Sequence, residues 1–106
     1  SEDLIAIARR QNRDRVAAGT AEFVTGDATE LPWDEGEFTA VTCNCIDCFA
    51  DKAKPALAEM YRVLRPGGRV LVTENHQEDM ESVGFSRASA EHIGWGYLTI
   101  GYKEAV

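Results

Sequence analysis

Short apolar runs along this chain alternate with stretches of helical period, and polar, Gly- and Pro-bearing segments separate them. Residues 21–25 and 38–42 are rich in Val, Phe and Thr, side chains that pack well on a pleated surface, so each run predicts a strand. Pro32 and Gly36 mark the connection between them as a polar loop. Residues 1–17 predict a helix. Ser1 can cap it, and Glu2 and Asp3 stand in the first turn, where the helix dipole favours carboxylates. Leu4, Ile7, Ala8 and Val16 give that helix a partial buried stripe, Arg9, Arg10, Arg13 and Arg15 a solvated face, and Gly19 a stop.

Asp51 is placed to cap a second helix, in which Pro55 falls in the tolerated first turn. Leu57, Met60, Tyr61 and Leu64 recur at i, i+3, i+4 and i+7, the stripe of a helix docked on a sheet. Arg65-Pro66-Gly67-Gly68 predicts its end, because Pro cannot continue the helix and Gly accepts the left-handed conformation. Residues 69–74 follow as a nearly continuous apolar run, the pattern of a strand buried on both faces. A polar run from Asn75 to Asp79 leads into a short helix over 78–83, halted by Gly84. Residues 85–91 and 96–103 then alternate as an antiparallel hairpin turned near Gly94. Strands alternating with helices predict an α/β fold, with parallel strands at 21–25, 38–42 and 69–74 and a carboxyl-terminal hairpin. At 106 residues, positions 1–106 make a single small domain.

Charge narrows the function classes. Eighteen acidic residues against eleven basic ones give a net charge of −7, spread along the chain, which argues against nucleic acid as a partner. With no apolar run near the length of a membrane span and no signal-like or lipidation pattern, the expectation is a soluble, cytoplasmic protein with no membrane partner. The three cysteines, Cys43, Cys45 and Cys48, are an odd number crowded into one segment, which predicts reduced thiols packed as small hydrophobes. A structural zinc site wants four ligands, and His76 and His92 lack supporting spacing, so no metal site is expected.

Candidate chemistry gathers at strand ends. A strand that closes on Gly26-Asp27 puts a carboxylate at the carboxyl end of a parallel sheet, where open α/β folds bind ligands. Asp27 could equally close an Asx turn. Asn44, just past the second strand, could meet a ligand or cap the strand. His76, just past the third, is a weak candidate for a catalytic base, with a solvated loop histidine the favoured expectation. Trp33, Trp95 and the tyrosines are expected to pack, Trp95 and Tyr97 at a possible interface, and His92 has no assigned role.

Gly26-Asp27-Ala28, Leu31-Pro32-Trp33 and Glu37-Phe38, with the segment 58–72 that carries Arg65-Pro66-Gly67-Gly68, resemble class I S-adenosylmethionine-dependent methyltransferases of the ubiquinone and menaquinone type. The resemblance implies a Rossmann-like sheet, S-adenosylmethionine as cofactor and a small-molecule acceptor. It also implies that Asp27 accepts a hydrogen bond from the adenine amino group, that the Ala28 amide faces a ring nitrogen, and that Asn44 and Cys45 line the cofactor and substrate cleft. Methyl transfer from a sulfonium needs chiefly alignment, so a base such as His76 is optional. In the family the helix at 1–17 follows the second strand. The glycine-rich loop after the first strand and the acidic residue ending the second are not in this sequence, and Gly67-Gly68 cannot replace that loop because it precedes a strand.

The expectation is therefore a truncated methyltransferase-like domain, inactive alone and completed by an amino-terminal segment or another chain. The alternative is a non-catalytic oligomeric binding or association module derived from a methyltransferase. Taking the first two strands from the family order (third, second, first, fourth, fifth, seventh, sixth) leaves a gap of roughly 10 Å at ordinary strand spacing. Residues 21–25 must then pair with 38–42 or find another partner, and the open edges predict a homodimer.

Overall fold

The computed structural model describes residues 2–44, 52–94 and 96–105. Helices α1 (Glu2–Gln11) and α2 (Arg13–Ala17) lead to a long irregular stretch, then β1 (Phe38–Cys43), α3 (Ala53–Val63), β2 (Leu64–Thr73), α4 (Gln77–Val83) and a hairpin of β3 (Ser86–Ile93) and β4 (Gly96–Tyr102). The four strands form one sheet in the order β1-β2-β4-β3. β1 and β2 run parallel, whereas β4 is antiparallel to both of its neighbours. This is the fourth, fifth, seventh, sixth part of the order implied by the resemblance.

The α3 stripe forms as its period requires. Ala56, Leu57, Met60 and Val63 are buried, and Leu57 and Met60 join Val70 and Val72 of β2, Met80 of α4 and Phe85 in one cluster. Tyr61 closes the edge of that cluster against Phe85, ring to ring at 5.0 Å in an edge-to-face contact. Gly101 lets the hairpin approach α4, since a Cβ there would stand 2.9 Å from the Met80 sulfur and 3.1 Å from Phe85 Cβ. α4 stops at Gly84, whose φ of 115° is left-handed, as expected from the sequence.

The helix before β2 ends earlier than the Pro-Gly-Gly run predicts. Leu64 is already extended, with φ −76° and ψ 137°, and Lys103 Nζ donates to the carbonyls of Tyr61 and Leu64, placing a cation on the last turn. Arg65, Pro66, Gly67 and Gly68 instead make an irregularity inside β2. The pairing steps from Phe38 with Leu64 to Ala40 with Arg69, so β2 advances five residues while β1 advances two. Gly68 sits where the strands touch: a Cβ there would stand 2.9 Å from the Arg65 carbonyl oxygen and 3.0 Å from that of Thr39.

Three further expectations are corrected, and a fourth falls outside the described residues. Residues 21–25 form no strand. A strand needs a neighbour, and β1 is bonded to β2 alone; the Phe23 carbonyl instead accepts two hydrogen bonds from the Arg9 guanidinium. The amino-terminal helix breaks at Asn12, and its apolar stripe is not buried: Leu4 is 66% exposed and Val16 37%. Within residues 69–74 only the alternate residues Val70 and Val72 are fully buried, because α3 and α4 cover one sheet face while Leu71 and Thr73 stay half-buried on the other. The N-cap of α3 is Lys52, which makes no side-chain capping bond, and Asp51, expected in that role, lies outside the described residues.

Candidate functional site at the carboxyl ends of the parallel strands

The parallel pairing of Cys43 with Val72 brings Asn44 and Thr73 side by side at the same end of the sheet. The loop carrying Asp27 is fastened to α3. Glu59 Oε1 accepts from the Leu31 amide at 2.8 Å, Arg62 donates to the Leu31 carbonyl at 3.1 Å, and the two side chains are paired through Arg62 Nε and Glu59 Oε2 at 2.6 Å. Hydrogen bonding from Arg62 holds the Glu59 carboxyl below its usual range, and the same pairing raises Arg62. Trp33 packs edge-on against Phe38 at 5.3 Å, as expected, and closes the loop's far end.

Asp27 takes the geometry of an Asx turn. Its Oδ1 accepts from both the hydroxyl (2.7 Å) and the amide (2.8 Å) of Thr29, and its carbonyl accepts from the Glu30 amide. Those bonds, the side-chain one first, hold the carboxyl below its ordinary pKa, so Asp27 is an anion at neutral pH. Both side-chain bonds fall on Oδ1, and neither engages Oδ2 of this exposed carboxylate. The turn and ligand readings are thus compatible. Ala28 faces an apolar groove of about 420 Å³, shared with Leu31, Trp33, Val41, Cys43 and Met60. The half-buried Cys43 thiol is pushed up in pKa by burial, which disfavours the reactive thiolate.

The structure therefore brings together Ala28 and the end of β1, with Asp27 beside the former and exposed Asn44 following the latter. Cys45 lies outside the described residues. His76 does not occupy a solvated loop. It precedes α4 with its side chain only 8% exposed, its amide donates to Thr99 Oγ1 at 3.0 Å, and its Nδ1 is 3.6 Å from Asp79 Oδ2. The ring is thus largely buried, where a solvated loop histidine was expected. Among the described residues no group of three or more His, Cys, Asp or Glu is placed to hold a metal, and no helix is long and apolar enough to cross a membrane.

Sequence reasoning passed over Glu74. The residue leaves β2 with a φ of 77°, a conformation that costs a non-glycine residue on the order of 1–3 kcal/mol. Its amide donates to the Tyr97 carbonyl at 2.7 Å, and its carbonyl accepts from the buried Thr99 hydroxyl at 2.5 Å. The sequence signal was faint: a charged residue at the end of an apolar run, where strand termination alone accounts for it.

A parallel β-α-β unit continued by an antiparallel hairpin is the architecture of a Rossmann-like fold. Residues 1–72 match the model of a methyltransferase domain family, and the chain belongs to that family. It is 40% identical over 75 residues to the ubiquinone/menaquinone biosynthesis C-methyltransferase of Idiomarina loihiensis, which covers 70% of this chain and 30% of that protein. The corresponding protein of Methylobacterium nodulans is 39% identical over 80 residues, 76% of this chain and 31% of its own length. The chain thus spans somewhat under a third of these relatives. Among solved structures, the cyclase SpnF superposes with a TM-score of 0.85 at 18% identity, over 100% of this chain and 65% of that one. A putative S-adenosyl-L-methionine-dependent methyltransferase of Methanococcus maripaludis gives 0.77 at 16% identity, over 98% and 64%. At such identities the superpositions establish the fold alone, and a cyclase among them shows that this fold hosts other chemistry.

Proposed function

We propose that this chain supplies the adenine side of an S-adenosylmethionine-dependent methyltransferase site whose glycine-rich loop comes from polypeptide outside these residues, and that it transfers no methyl group without it. The observation that carries the reading is the Asp27 turn. Its carboxylate is ionised, fixed by Thr29 through one oxygen and not through the other, beside the apolar groove that Ala28 lines. An exocyclic amine suits that oxygen, an aromatic base suits the groove, and Asn44 stands past the neighbouring strand for the rest of the ligand. The acceptor is a small molecule.

Magnitudes limit what these residues do alone. A micromolar ligand requires about 8 kcal/mol of binding free energy. One charge-assisted hydrogen bond supplies roughly 1.5–3 kcal/mol before the cost of ordering the ligand. Adenosine titrated into the isotope-labelled protein should therefore shift the Ala28 and Thr29 amides with millimolar affinity, and Asp27→Ala should abolish the response. No shift at these amides refutes the adenine assignment. A dissociation constant for S-adenosylmethionine below about 100 μM, lost on Asp27→Ala, refutes the claim that half of the site lies elsewhere.

The same reading concerns β1, which among the described residues is paired on one side only and presents Thr39 to Thr42 without a charged or Pro residue to blunt the edge. A strand of the completing segment, or failing that a second copy of this chain, pairs with it. Light scattering of the protein alone at high micromolar concentration should give a dimer mass, and a monomer mass refutes self-association.

A further inference from the structure

The loop that carries Asp27 lies along α3 from one end to the other. After the Thr29 bonds, the charge of Lys52 just before α3 also favours ionised Asp27, so the loop starts beside the start of the helix. Leu31 is bonded to Glu59, and the Gly36 amide donates to the Arg62 carbonyl at 3.0 Å. Arg62 therefore holds both ends of the segment 31–36, the first through its side chain and the last through its backbone. The side-chain part is a closed ring of hydrogen bonds. Glu59 Oε1 accepts from the Leu31 amide at 2.8 Å and from Arg62 Nη2 at 3.0 Å, and the same Nη2 donates to the Leu31 carbonyl at 3.1 Å. Leu31 is in no strand, yet one acceptor and one donor meet its amide and carbonyl together, as a neighbouring strand would.

An ion pair three residues apart on a helix surface adds little to the helix itself. The residues next to this one show what else it sets. Met60 and Val63 line the apolar groove from α3, and Ala28, Leu31 and Trp33 line it from the loop, so the spacing between loop and helix sets how wide the groove is. The clamp also reaches the turn. The Glu30 amide donates to the Asp27 carbonyl at 2.9 Å, and Pro32 Cδ lies 3.8 Å from where a Cβ would stand on Gly26. We infer that Glu59 and Arg62 are positioning residues for the adenine side of the site: by presenting an acceptor and a donor in that order to Leu31, they set the width of the groove and the place of the Asp27 turn beside it. The inference rests on the methyltransferase reading above and adds the two side chains that hold its ligand loop. Both act through Leu31 rather than on the ligand. After Glu59, Glu35 and Asp34 on the enclosed segment also favour the Arg62 cation.

The order of acceptor and donor makes the test. Exchanging the two residues, Glu59→Arg with Arg62→Glu, keeps an ion pair on α3 and the net charge, but sets a donor against the Leu31 amide and an acceptor against its carbonyl. Trp33 is the reporter, in a Trp95→Phe background where it is the sole tryptophan. Acrylamide quenching of its fluorescence, read without ligand, should rise about twofold in Arg62→Met and as much in the exchanged protein, because both release the loop. Arg62→Lys, which keeps the charge without the fork, should move it in the same direction by less. Adenosine, followed at the Ala28 amide, should bind Arg62→Met and the exchanged protein about fivefold or more weakly, since only the fraction of molecules with the loop held is competent. In about 0.5 M salt, which screens Asp34 and Glu35 from position 62, the exchanged protein should still quench as Arg62→Met does. Arg13→Met, on α2 outside this network, should change neither reading, and circular dichroism identical to the parent certifies each variant. An exchanged protein that quenches like the parent, with or without salt, is a plain helix ion pair and overturns the proposal, as does unchanged quenching in Arg62→Met. The clamp stands or falls on quenching without ligand, whereas adenosine shifts that Asp27→Ala abolishes report on the adenine reading separately.

Discussion

Replacing Thr99 by Val removes a hydroxyl and leaves the volume of the side chain unchanged. Thr99 is fully buried, accepts a hydrogen bond from the His76 amide and donates one to the Glu74 carbonyl. In the variant both backbone groups lose their partner on this side chain, and a buried polar group left unsatisfied costs about 1–3 kcal/mol. Water at the exposed Glu74 replaces part of one bond, so the expected loss is about 2–3 kcal/mol. For a domain near 100 residues that lowers Tm by roughly 8–20 °C. Thr99→Ser is the control, since it keeps the hydroxyl and deletes one methyl group, at a cost of about 1 kcal/mol. Urea denaturation with equal m-values for the three proteins measures the difference. Val within 0.5 kcal/mol of the parent, or Ser as damaging as Val, refutes the view that this hydroxyl holds the turn after β2 (the threshold is about the scatter of ordinary surface substitutions).

Gly101→Ala should destabilise the protein by about 1–3 kcal/mol, because its Cβ overlaps Met80 and Phe85, and Met80→Ala in the same chain should recover part of that loss in a double-mutant cycle. Asp27 has a folded pKa below its unfolded one, so its turn contributes stability present above about pH 4 and lost as pH falls through the folded value; the stability gap between the parent and Asp27→Ala should close over that acid range and nowhere above pH 6. Glu59→Gln should loosen the loop at Leu31, seen as faster amide exchange from residue 31, while amides of β2 stay protected. Cys43 should react with a thiol reagent at neutral pH more slowly than an unburied cysteine, measured as the slow component that Cys43→Ala removes.

What the sequence disclosed was decided by contacts local in the chain or by strong period. The α3 stripe, the α4 stop at Gly84 and the terminal hairpin each follow from residues that settle their own neighbourhood. The strand at 21–25 failed for the opposite reason: its Val and Phe favour a pleated surface, but pairing is non-local and β1 does not pair with it. The Pro-Gly-Gly run was read as a helix terminator, whereas the helix had ended at Val63 and the glycines serve a close approach between two strands. At the site, Asp27 was legible because an acid after an apolar strand is a local signal. The burial of His76 was not, since it depends on Thr99, 23 residues away in sequence. Glu74 was passed over because neither left-handed backbone nor a tie to Tyr97 leaves a mark on residue type.

The most recognisable run in the chain, Arg65-Pro66-Gly67-Gly68, stands at the start of β2, and Glu74 stands past its end. Six residues of extended chain, about 20 Å, separate Gly68 from Glu74. No described ligand-facing group is near the former; its tightness secures the meeting of β1 and β2. A lineage could thus vary the rim past β2 while its fingerprint stayed intact, because the residues that bring two strands together and the residues beyond the strand's end answer to different pressures.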